Sequence, residues 1–118
     1  MIISTIRTHW ETSLPSLPFY ALFVPENTSF PYGMLELGDM VPDWQSGNQY
    51  FEIVDFKLHV FASSTDQLET LADQVANRFD REQISADCMG LLRLKTTVIA
   101  ESFNCFHAVL EYQGKWSR

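Results

Sequence analysis

The order of hydrophobic patterns along the chain predicts an α+β domain. It is one largely antiparallel, curved β-sheet of about five strands with two helices packed on one face, in the order α-β-β-β-α-β-β. Three observations carry that expectation. Residues 64 to 81 hold an apolar stripe of helical period, residues 50 to 61 a long strand-like run, and residues 92 to 112 two alternating segments joined by a short break.

Helical spacing over roughly residues 2 to 13 comes first, with Ile3, Ile6 and Trp10 on one side and Arg7 and Glu11 on the other. Leu14-Pro15 and Leu17-Pro18 end it, because a proline disfavours helix in the residue before it. Phe19 to Val24 reads as a short buried strand, and Pro25-Glu26-Asn27 turns the chain. Tyr32 to Leu37 is a second strand. Gly38 to Asn48, with Asp39, Pro42, Asp43 and Gly47, reads as a long loop, although Met40, Val41 and Trp44 are apolar for a solvated one.

In the strand from Tyr50 to Phe61, Phe51 and Ile53 share one parity, and Phe56, Leu58 and Val60 share the other. A strand with one buried face cannot change parity without flipping its side chains, so a β-bulge is expected near Val54-Asp55. Ser64 and Gln67 stand at capping-box spacing ahead of Leu68, Leu71, Ala72, Val75, Ala76 and Phe79, a stripe built to lie on a sheet. Asp66 and Glu69 near its start and Arg78 and Arg81 near its end match the helix dipole.

The closing hairpin alternates Leu92, Leu94, Thr96, Val98 and Ala100 with Arg93, Lys95, Thr97 and Ile99. After a turn near Ser102 it sets Phe106, Ala108, Leu110 and Tyr112 against Cys105, His107, Val109 and Glu111.

The 118 residues have the size of a single domain, 1–118, and 46% of them are hydrophobic, enough for a core. Fifteen acidic against eight basic residues give a net charge of −7, and no Lys or Arg occurs between Arg7 and Lys57. Phosphate neutralisation needs clustered basic residues, so specific nucleic-acid binding is disfavoured, and docking on an anionic membrane with it. The start of the chain lacks a signal-peptide pattern, and no apolar run has the length of a transmembrane helix. Two cysteines make no disulfide framework, and a reducing cytoplasm suits them.

Candidate chemistry does not assemble. Cys88 and Cys105 are the possible nucleophiles and His9, His59 and His107 the possible bases, but nucleophilic catalysis needs a base within hydrogen-bond reach and a group to orient it. Cys105 and His107 share a strand face without facing each other, and a metal site joining them to His59 is conceivable only if His59 comes from an adjacent strand. Scattered packing and surface residues are the simpler reading. Five glycines have no phosphate-loop spacing, and Asp39 and Asp43 read as solvated loop acids. No catalytic residue, cofactor or metal is expected.

The second face of the sheet is expected to carry Lys57, His59, Arg93, Lys95, His107 and Glu111 beside Phe61, Ile99, Phe103 and Val109. Charge mixed with large apolar groups is common where a sheet meets another subunit, although an ordinary wet face with scattered apolar residues has the same composition. The candidate interface residues are therefore Lys57, His59, Phe61 and Ile99 on that face, with Asp39, Met40, Asp43 and Trp44 in the loop. Trp44 is the expected anchor, since aromatics are over-represented among contact residues that matter.

The same order of elements resembles the small tail terminator and tail completion (head–tail joining) proteins of long-tailed phages. The features are the N-terminal helix with its Pro-broken connection and the Phe30-Pro31-Tyr32-Gly33 start of a strand. A long strand-to-strand connection, Phe56-Lys57-Leu58-His59-Val60-Phe61-Ala62-Ser63-Ser64 into a capped helix, and a hairpin reaching Leu110-Glu111-Tyr112 complete them. The resemblance covers most of the chain without a single diagnostic motif.

It implies a homo-oligomeric ring, commonly a hexamer, that closes or joins the tail tube at its head-proximal end and meets the tube and connector proteins. It also implies a virion location after assembly in the host cytoplasm, and neither catalysis nor a cofactor. The alternative is a small-ligand or protein-binding α+β adaptor without ring symmetry.

Overall fold

A computed structural model describes residues 2–44 and 50–117. The elements are α1 (Ile2–Ser13), β1 (Phe19–Ala21), β2 (Tyr32–Trp44), β3 (Tyr50–Ala62), α2 (Thr65–Phe79), β4 (Cys88–Ser102) and β5 (Cys105–Ser117). This is the expected order. The sheet runs β1-β2-β3-β5-β4 and is antiparallel except for β1, which lies parallel to β2.

Parity along the strands explains where the core sits. Val54, Phe56, Leu58, Val60 and Ala62 of β3 are all buried, as are Ala108, Leu110, Tyr112 and Trp116 of β5 and Leu35 of β2. Ile6 and Trp10 of α1, with Leu68, Val75, Ala76 and Phe79 of α2, close over them. Trp10 and Phe79 meet at 6.0 Å between ring centroids, so the two helices share one aromatic seam. The Trp10 indole N–H donates to the Leu17 carbonyl at 2.9 Å, which satisfies the polar atom such a ring brings into a core.

Gly33 makes that placement possible. A Cβ there would lie 2.3 Å from the Trp10 ring, so only glycine lets the indole rest on β2. At the start of α2 the Ser64 hydroxyl accepts from the Gln67 N–H, and the Gln67 side chain accepts from the Ser63 N–H. The capping box is thus displaced by one residue. At its end Asp80 accepts from the Tyr112 hydroxyl at 2.6 Å and pairs with Arg93 at 3.0 Å, tying α2 to β5 and β4. Burial, then the bond to Asp80, pushes the Tyr112 phenol upward from its ordinary range.

Four expectations are corrected. The first apolar run forms a strand only over Phe19–Ala21, because Leu22 turns away at φ 70°. Residues 38–44, read as loop, continue β2, paired with β3 from Met40↔Val54 to Trp44↔Tyr50; residues 45–48 of that expected loop lie outside the described residues.

The bulge exists, but on the partner strand. Gly38 and Asp39 of β2 together face Asp55, while β3 pairs with β5 without interruption from Phe51 to Ala62. Its even residues therefore face the core throughout, and Phe51 and Ile53 belong to the other face. A Cβ on Gly38 would come within 3.1 Å of the Asp55 carbonyl oxygen, which is why the kink falls at a glycine.

The fourth correction concerns β4. Arg93 pairs with Tyr112 and Lys95 with Glu111, leaving Leu94 as an extra residue. Parity changes there. Leu92 falls on the second face, Thr96, Val98 and Ala100 on the helix side, and Arg93 joins the helix side instead of the second face.

Candidate interaction face

Strand and helix lengths decide which surfaces stay open. A 15-residue helix is about 22 Å long, whereas strands of 13–15 residues reach about 43–50 Å. Helices over the central strands therefore cannot cover the whole sheet. Residues 92–104, the outer part of β4 and the turn into β5, are all exposed. They include Val98 at 65% and Phe103 at 92% exposure. β4 is also an edge strand, bonded only to β5, so its outer row of N–H and C=O groups is free of sheet partners. Leu22, Phe23 and Phe30 in the β1–β2 connection are exposed as well. They flank the end of the sheet where β2 starts and β3 ends.

The second face collects the predicted residues unequally. Lys57, His59 and Phe61 share it through β3, and Ile99 joins because it pairs with His107. Asp43 lies on the same face at its far end, bonded to Lys115 at 3.2 Å. Asp39 sits in the bulge. Met40 pairs with Val54 and so faces the helix side, exposed beyond the helices. Trp44 ends β2, paired with Tyr50.

His59 and His107 are only 7% and 8% exposed, although both helices pack on the opposite face. His59 Nδ1 and His107 Nε2 lie 2.6 Å apart. The outer nitrogens reach carboxylates: His59 Nε2 to Glu36 at 2.8 Å, and His107 Nδ1 to Glu101 at 3.2 Å. Burial pulls the His59 imidazole below its ordinary value, the hydrogen bond to Glu36 opposes that, and the neighbouring His107 adds to it.

Phe61 is stacked between His107 at 4.0 Å and Tyr32 at 4.9 Å, and Tyr32 stacks in turn on Phe30 at 5.8 Å. The conceivable metal arrangement thus resolves differently. The two histidines do meet from adjacent strands, but they bond each other, and among the described residues no three His, Cys, Asp or Glu side chains converge on a metal position. A cleft of about 270 Å³ lies beside Glu36, lined also by Asp39, Lys57 and Glu111, and one of about 360 Å³ is lined by Ile53, Leu92, Gln113 and Lys115; neither is lined by His59 or His107.

Glu36 and Glu101 were not singled out by sequence reasoning, and their role follows from register. Met34 pairs with His59, His59 with Val109, and His107 with Ile99. Each link of the Glu36–His59–His107–Glu101 chain is therefore a diagonal contact, two residues off the direct pair. The only sequence signal is alternation within each strand, Glu36 in step with Tyr32 and Met34 and Glu101 in step with Ile99, and it becomes informative only once the strand order and register are known.

The class this geometry defines is a mostly antiparallel α+β sheet with a double-helix cover on one side and a bonded, partly aromatic face on the other. Among solved structures, the chain is similar to one in the "Virion of native gene transfer agent (GTA) particle", with a TM-score of 0.72 at 15% identity, covering 98% of this chain and 90% of that one. No protein-family model matches the sequence, and no curated protein matches it.

Proposed function

We propose that this chain is a structural, non-catalytic subunit of a phage or phage-like virion. In this reading it forms a ring, commonly of six copies, that terminates or joins the tail tube at its head-proximal end. The observation that carries the reading is the fold shared, nearly end to end, with a chain of a gene transfer agent virion. The exposed β4 edge and the apolar groups at Val98, Ile99 and Phe103 support it, because long unpaired edges with exposed apolar residues are rare on proteins that act alone.

The partners are further copies of the chain, the tube protein and the connector proteins. The candidate contacts remain Lys57, His59, Phe61 and Ile99 on the open face, with Asp39, Met40, Asp43 and Trp44 along the distal part of β2. Negative-stain microscopy of the protein mixed with tail tubes is the test. Capped tubes and rings of about 82 kDa, six times the 13.6 kDa chain, are the expected result. Tubes of unregulated length at saturating protein would remove the terminator role.

A further inference from the structure

We propose that Glu36, His59, His107 and Glu101 form a one-proton latch across β2, β3, β5 and β4, which holds the open face closed while the histidine pair keeps a single shared proton and releases it when the pair takes up a second. Hydrogen-bond accounting leads to this count. An ionised carboxylate only accepts, so contact with Glu36 and Glu101 requires N–H groups on His59 Nε2 and His107 Nδ1. The inner atoms, His59 Nδ1 and His107 Nε2, lie 2.6 Å apart and need one hydrogen between them. Two lone pairs would repel there, and so would two N–H groups. One proton beyond the neutral pair satisfies all three links; zero or two breaks at least one.

The latch lies under little cover. Its carboxylate ends are about half exposed, at 50% and 47% for the Glu36 and Glu101 side chains. Its imidazoles are buried by the sheet's own neighbours. Other titratable groups on that face are Tyr20 from β1, Tyr32 and Asp43 from β2, Asp55 and Lys57 from β3, Cys105, Glu111 and Lys115 from β5 and Lys95 from β4, with Lys95 paired to Glu111 at 3.3 Å and Lys115 to Asp43 at 3.2 Å. Burial lowers the His59 affinity for a charge of its own, as resistance to a second proton requires. His107 is the base of the stack that runs through Phe61 and Tyr32 to Phe30, so its departure from His59 loosens the aromatic surface as a unit. The inference stands on these contacts alone and is independent of the ring reading.

Imidazole resonances of the full chain, followed from pH 9 to pH 4, test it, with His9 outside the latch as the reference ring. The pair is expected to take up protons in two separated steps, with the Phe61 and Tyr32 ring signals moving at the second. Glu101→Gln, at a half-exposed position, removes one carboxylate and is expected to shift the first step down by about one pH unit. Coincident steps, ring signals unmoved at the second step, or a Glu101→Gln protein titrating like the wild type would each overturn the proposal.

Discussion

The two faces of the sheet are held in place by different physics. On the helix side, Trp10, Phe56, Phe79, Leu110 and Tyr112 are buried by two helices and stabilised by removal of apolar surface from water. On the open side, His59 and His107 reach nearly the same burial with no helix above them, through three polar links and a stack of rings. Burial of a polar group without its bonds is unfavourable, so the open face keeps its order only while those bonds are made. Around neutral pH the helix-covered face responds mainly to volume. The open face responds to protons as well, through the imidazole links.

Substitutions separate the two. Phe79→Ala removes the ring that joins Trp10 to Tyr112 and is expected to cost about 3–5 kcal/mol, read by chemical denaturation at neutral pH. Gly33→Ala forces a methyl into the Trp10 ring and is expected to cost about 1–3 kcal/mol on the same assay. A neutral Gly33→Ala would mean that the core is less tightly closed than its contacts indicate.

The open face is read by pH. With His59 held below its ordinary 6.5 in the folded state, the unfolded chain binds the proton first as pH falls. The stability tied to the His59 charge that burial resists is therefore fully present above pH 6.5 and is lost progressively on descending through it towards the folded value, whereas the shared proton, which completes all three links, adds stability where it binds. His59→Gln should flatten that part of the profile and leave the Phe79→Ala penalty unchanged. The smallest effect belongs to the outer arm. Phe103→Ser is expected to change stability by no more than about 0.5 kcal/mol while weakening self-assembly measured by light scattering. Unchanged assembly would remove Phe103 from the contact surface.

Much of this contrast was legible in the chain. The α2 stripe, its Ser64 cap and the hairpin were readable because periodicity reports one buried face, and a single helix or hairpin is local. The shared parity of Lys57, His59 and Phe61 placed them together for the same reason. What could not be read was pairing. Phe51 and Ile53 looked like core because a strand's two faces are equivalent until something covers one, and the bulge was expected there instead of at Gly38-Asp39. Arg93 moved to the helix side because Leu94 is inserted without any glycine or proline to mark it. The latch depends on β5 being inserted between β3 and β4, an order that hairpin reasoning alone does not supply.

The outrunning of the helices by the strands leaves the β4–β5 arm free to vary in length. A residue pair added opposite another pair beyond Val98 and Ala108 advances the tip by about 7 Å and restores the original parity, so nothing beneath α2 has to repack. A single added residue would turn the face of everything distal to it. Reach at this end of the molecule is therefore adjustable in steps of two residues per strand, and can diverge among relatives while the helix-covered half stays fixed.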